Sequence, residues 1–68
     1  MMEITVAELK ALKIPRQYHW RIRSRLAILT YAMEHSIRAA SRRFDLDRKT
    51  IRAWRRRWQT GGAAGLVP

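Results

Sequence analysis

The stretch that decides the fold is FDLDRKTIRAWRRRW, residues 44–58, in which six Arg or Lys residues are interleaved with apolar ones. At about 100° per residue, Ile51, Trp54 and Trp58 of a helix would fall within an arc of about 60°. Lys49 and Arg56 would lie directly opposite that arc. The pattern therefore predicts an amphipathic helix with a narrow apolar stripe for packing and a broad cationic face.

Both faces of this helix allow a second interpretation. Trp54 and Trp58 could stack on unpaired bases, as aromatic side chains do in proteins that bind single strands. Because they share their arc with Ile51, packing in a core is the favoured interpretation. The cationic face could be an ordinary solvated surface, but such surfaces mix charges of both signs. Residues 48–57 contain six basic residues and no acidic one, which favours a binding face.

The residues before this helix predict a second, shorter helix and a tight turn. Ser36 is a good N-cap for a helix that runs to Phe44. The side chain of Phe44 is expected to share one core with Leu29, Ile51 and Trp54. A three-residue break follows, with Leu46 directed inward and Asp47 as the N-cap of the basic helix. Ser41 is small where the two helices approach most closely. This is the spacing of a helix-turn-helix, in which the second helix enters the major groove of DNA.

Upstream, the periodicity predicts a helix over residues 16–34 and a short one over residues 6–13, which begins with the capping-box spacing of Thr5 and Glu8. The inward face of the longer helix is formed by Tyr18, Ile22, Leu26, Leu29 and Met33. A second apolar patch lies opposite and consists of Trp20, Ala27, Ile28 and Tyr31. We expect it to seat Leu9 and Leu12, or to contact a partner chain or a neighbouring domain. Gly61 and Gly62 end the basic helix, and residues 63–68 are expected to be extended.

Composition limits the classes of function. The 68 residues carry a formal net charge of +10 with an isoelectric point near 11.7, which favours a polyanionic partner. The positive charge is concentrated in the second half. Residues 1–35 hold six basic and three acidic residues (+3), whereas residues 36–68 hold nine basic and two acidic residues (+7). There is no cysteine, so disulfides and the usual structural zinc sites are excluded. No membrane-spanning run or signal peptide is visible, and we expect a cytoplasmic, nucleoid-associated protein.

The sequence contains no constellation suited to catalysis. Its acidic residues fit capping, turn or solvated positions, and His19 and His35 have no partner at metal-ligand spacing, so both are expected at the surface. We therefore expect no catalytic residue, no metal site and no cofactor, and we do not expect the chain to be an enzyme by itself.

The residues SIRAASRRFDLDRKTIRAWRRRW (36–58), followed by GGAAGL (61–66), resemble the N-terminal helix-turn-helix of bacterial insertion-sequence transposases and related integrase-type recombinases. The resemblance covers about residues 22–66. The matching positions are Ser41, Arg43, Phe44, Leu46, Thr50, Ile51, Trp54, Gly62, Gly65 and Leu66. Asp45 replaces the glycine of the turn and Asp47 replaces the usual serine cap. The resemblance implies recognition of element ends in double-stranded DNA, with a catalytic domain elsewhere as a partner.

These observations together predict an all-α protein. Residues 16–60 form a three-helix, homeodomain-like helix-turn-helix, residues 1–15 a helical extension and residues 61–68 an exit linker. The expected groove-facing residues are Arg48, Lys49, Arg52 and Arg56. The expected contacts to the DNA backbone are Arg38, Arg42, Thr50, Arg55 and Arg57. A further positive field is expected from Arg21, Arg23 and Arg25.

Three alternatives remain open. A stand-alone transcriptional regulator would share the fold and differ only in biology. An RNA-binding protein would share the charge, but the major groove of A-form RNA is too narrow for a recognition helix. A cationic helix on a membrane surface would explain the Trp and Arg content, but it would not need three separately capped helices.

Overall fold

In the computed structural model, which describes residues 4–68, every regular element is helical, as expected from the sequence. The elements of this part of the chain are the helices α1 (Val6–Ala11), α2 (His19–Glu34), α3 (Ile37–Phe44) and α4 (Arg48–Gly61), with 3-10 turns at Arg16–Tyr18 and Gly62–Leu66. None of these helices is long and apolar enough to span a lipid bilayer. The all-α prediction is therefore confirmed.

Local side-chain chemistry explains where the shorter helices begin and end. The Ser36 hydroxyl accepts a hydrogen bond from the Ala39 N–H at 2.9 Å, which caps α3. At the start of α1, the Thr5 hydroxyl accepts from the Glu8 N–H at 3.2 Å. The first helix ends at Ala11, earlier than predicted, and Lys13 then adopts the left-handed conformation with φ 58°. Since a continuing α-helix needs negative φ, the chain turns there and runs toward α2.

Helices α2, α3 and α4 pack around one apolar core. The buried members from α2 are Ile22, Leu26 and Leu29, while α3 contributes Ala40 and α4 contributes Ile51. Trp54 and Trp58 are partly buried against this cluster. The packing interpretation of the α4 stripe is thus confirmed.

Two residues assigned to this core face outward instead. Met33 is 71% exposed, because it lies in the last turn of α2 at the edge of an apolar groove. Phe44 is 36% exposed, and its ring packs edge-on against Tyr31 with 5.5 Å between centroids. Arg43 lies over both of these rings. Phe44 therefore packs at the periphery of the α2–α3 contact, and its predicted inward position is wrong.

The prediction of an extended exit segment is also wrong. After Gly62, which takes a positive φ of 60°, residues 62–66 form a 3-10 turn that packs back onto α4. Leu66 is completely buried and Ala63 is 5% exposed. Gly65 is required by this approach, because a Cβ at that position would overlap the carbonyl oxygen of Arg57. Residues predicted to form a linker are thus part of the hydrophobic core.

The N-terminal extension packs against the rest of the protein only in part, although both Leu9 and Leu12 were expected to do so. Leu9 is completely buried, whereas Leu12 is 53% exposed and Trp20 of the second apolar patch is 76% exposed. His19 was expected at the surface, and this is wrong. Its ring is buried, and its Nε2 donates a hydrogen bond to the carbonyl oxygen of Ile14 at 2.8 Å. The bond satisfies a polar atom that would otherwise be buried without a partner.

Candidate nucleic-acid interface

The turn between α3 and α4 is held by one residue, Ser41. Asp45 adopts the left-handed conformation with φ 53°, and its N–H donates to the Ser41 carbonyl. The Leu46 N–H donates to the same carbonyl at 3.0 Å, while the Ser41 hydroxyl donates to the Leu46 carbonyl. Asp45 can replace the usual glycine of the turn because aspartate tolerates the left-handed conformation better than most other residues. From the sequence, Ser41 was expected to matter only because it is small, and its hydrogen bonds were not predicted.

Helix α4 begins without the side-chain cap that was expected. Asp47 stands at the N-cap position, but its carboxylate makes no capping hydrogen bond. Its backbone carbonyl accepts from the N–H groups of Thr50 at 3.1 Å and Ile51 at 3.2 Å, as the first intrahelical bonds. The Thr50 hydroxyl makes no bond within the described chain. It is therefore available to an external acceptor such as a phosphate.

The cationic face of α4 consists of four exposed residues, Arg48, Lys49, Arg52 and Arg56. Ile51 on the other side of the helix is completely buried in the core. None of the four cations forms an ion pair within the described residues. Because burial of Ile51 fixes the rotation of α4, the four residues predicted to face the groove are presented together to solvent.

The residues predicted to contact the DNA backbone lie in different surroundings. Arg38 and Arg42 are exposed on α3. Arg55 is also exposed, and it lines an apolar groove of about 510 Å³ together with Met33. The Nη2 group of Arg57 donates to the carbonyl oxygen of Val67 at 3.0 Å. Arg57 thus has a structural contact that the sequence did not reveal, beside any contact with DNA.

A structural role for Arg25 was missed from the sequence. Its Nη1 donates to the carbonyl oxygen of Leu66 at 2.9 Å, and its guanidinium lies 4.8 Å from the ring centroid of Trp54. Burial lowers the pKa of Arg25, and the positive charges of Arg57 and Arg21 lower it further. The side chain ties α2 to both α4 and the C-terminal turn. The sequence offers one indication of this role, which is that Arg25 lies at the edge of the apolar face formed by Ile22, Leu26 and Leu29.

The interface has the composition of a binding surface and lacks that of a metal centre. Among residues 4–68, no group of three or more His, Asp or Glu side chains is arranged to hold a metal ion. The functional groups of the cationic face are guanidinium and ammonium donors, which suit phosphate oxygens and the acceptor edges of bases.

Comparison with known proteins agrees with this geometry. Residues 24–68 match a family described as Helix-turn-helix domain. The match includes α3, the turn, α4 and the C-terminal 3-10 turn, so it extends over the segment that had been predicted to be a linker. No curated protein and no solved structure shows significant similarity to the chain. Because the family match spans more than half of its residues, the chain belongs to the helix-turn-helix domain family.

Proposed function

We propose that the protein binds double-stranded DNA in a sequence-specific manner, with α4 as the recognition helix in the major groove. The observation that carries this proposal is the cationic face of α4, which is exposed and unpaired while the opposite face is anchored in the core. An α-helix fits the width of the major groove of B-DNA. Membership of the helix-turn-helix family supports the same assignment.

The proposed contacts fall into two classes. Arg48, Lys49, Arg52 and Arg56 would reach base edges, where Arg and Lys pair with the O6 and N7 acceptors of guanine. Contacts to the DNA backbone would come from Arg38, Arg42, Thr50, Arg55 and Arg57. These backbone contacts would position the domain without reading sequence.

The finer identity that we propose is the end-recognition domain of a transposase or integrase. It is supported by the resemblance of residues 22–66, including Trp54 and the Gly65-Leu66 ending. A stand-alone regulator would use the same interface, so the two are distinguished by the position of the site. For an end-recognition domain, the preferred sequence lies in the terminal repeats of the element that encodes it. For a regulator, it lies in a promoter.

Selection of bound duplexes from a random library tests the proposal, followed by measured affinities for the selected site, a scrambled duplex, duplex RNA and single strands. We expect a defined consensus and tighter binding to the selected DNA by a factor of about 10³ or more. For an Arg→Ala change on the cationic face, Arg16→Ala is the charge-matched control, because Arg16 is exposed on the 3-10 turn before α2 and outside the matched residues 24–68. Equal affinity for all four ligands would contradict sequence-specific binding.

A further inference from the structure

A second groove lies between α1 and α2. It is a groove of about 1000 Å³ whose apolar lining includes Val6, Trp20 and Ala27. Trp20 is 76% exposed and Val6 is 42% exposed. Large aromatic side chains left this open are characteristic of protein interfaces, where they supply much of the binding energy. None of the residues expected to contact bases or the DNA backbone lines this groove, and Arg23 is the one lining residue that was expected to extend the positive field.

The charges of the α1–α2 groove indicate what occupies it. Its lining contains one acidic residue, Glu8, and one basic residue, Arg23, and the two form no ion pair with each other in the described structure. A patch with one charge of each sign can pair with a copy of itself across a two-fold axis. Because the whole chain carries a net charge of +10, most other faces would repel a second copy.

The apolar groove beside α4 is less suited to binding a second copy of the chain. Arg55 is the only charged residue in its lining, which also includes Leu29, Met33 and Trp58. Two copies meeting there would bring like charges together, next to the cationic face of each α4. Like charges across an interface disfavour association. The α1–α2 groove is therefore the surface suited to a second copy.

We propose that two copies of this chain associate through the α1–α2 groove, with Trp20 of each copy inserted into the groove of the other. Glu8 of one copy pairs with Arg23 of the second, and the symmetry of the contact forms the pair twice. The dimer does not depend on DNA binding, but its consequence rests on the proposed function. With both α4 helices free, a dimer would read two half-sites of inverted repeat symmetry.

Sedimentation equilibrium of the full chain without DNA, from micromolar to millimolar concentration, tests this proposal. We expect a reversible dimer in the wild type and a monomer for Trp20→Ala, which leaves the core intact because Trp20 is exposed. Glu8→Arg and Arg23→Glu should each weaken dimerisation by about tenfold or more, since each places like charges in contact. The double variant Glu8→Arg/Arg23→Glu should restore it, because the swap re-forms both pairs.

Two further variants separate pairing from general effects. Glu8→Gln removes the charge but preserves the capping-box chemistry of α1, so its weaker dimerisation cannot come from loss of the helix. Lys10→Glu makes the same charge change as Arg23→Glu on an exposed α1 residue outside the groove lining, and it should not weaken the dimer. A chain that stays monomeric throughout, or a dimer indifferent to Trp20→Ala and to the charge swap, would overturn the proposal.

Discussion

Replacing Leu66 with Ala should destabilise the domain severely, although Leu66 lies in a segment whose sequence resembles a linker. The side chain is completely buried, so its truncation removes apolar contacts and leaves a cavity, at a cost of about 3 kcal/mol. Arg25 bonds to the backbone carbonyl of Leu66, so that bond is retained in the variant. A domain of this size has a total stability of roughly 3–10 kcal/mol. The variant should therefore be marginally folded.

Urea unfolding followed by circular dichroism measures this loss. Leu12→Ala is the matched control, because it makes the same chemical change at a side chain that is 53% exposed. We expect Leu12→Ala to lower the free energy of unfolding by well under half of the Leu66→Ala loss. If the two variants lose the same free energy, residues 62–66 are not packed in the core and the account of the C-terminal turn is refuted.

Other substitutions test the turn and the C-terminal packing by the same unfolding assay. Gly65→Ala should cost about 1–3 kcal/mol through overpacking against the Arg57 carbonyl, whereas Gly61→Ala, which meets no atom within 4 Å, should be neutral or slightly stabilising. Arg57→Ala should cost about 1 kcal/mol by losing its C-terminal hydrogen bond, and Arg56→Ala should not. Asp45→Gly should stabilise by about 0.5–1 kcal/mol by relieving a left-handed non-glycine residue. A destabilised Asp45→Gly variant would show that the aspartate is needed in the turn.

Features set by local periodicity could be predicted from the sequence. The burial of Ile51 and the exposure of Arg52 follow from their spacing on a single helix. The same spacing predicts that the candidate groove residues point away from the core. The Ser36 cap also depends on residues three positions apart. Such features need no knowledge of how distant segments meet.

Features that depend on distant contacts could not be predicted. Leu66 follows a glycine-rich stretch typical of a linker, yet its side chain is buried and its backbone carbonyl accepts a hydrogen bond from Arg25, 41 residues earlier. His19 is buried because the chain before α2 bends back and offers the Ile14 carbonyl. Phe44 has the spacing of a core residue, but its ring packs edge-on against Tyr31 at the periphery of the α2–α3 contact. In each case tertiary packing decided the outcome.

The central claim, that α4 reads DNA sequence through its cationic face, is tested most directly by comparing Arg52→Ala with Arg55→Ala. The two residues carry the same charge on the same helix, but Arg52 belongs to the cationic face and Arg55 lines the apolar groove beside it. Affinities are measured on the selected site and on a scrambled duplex at several salt concentrations.

We expect Arg52→Ala to cost about 1–3 kcal/mol on the selected site and to relax base preference at one position. Arg55→Ala should weaken binding to both duplexes alike and lower the salt dependence by about one phosphate contact. Equal losses on both duplexes for both variants would contradict the account and leave α4 as a nonspecific cationic helix.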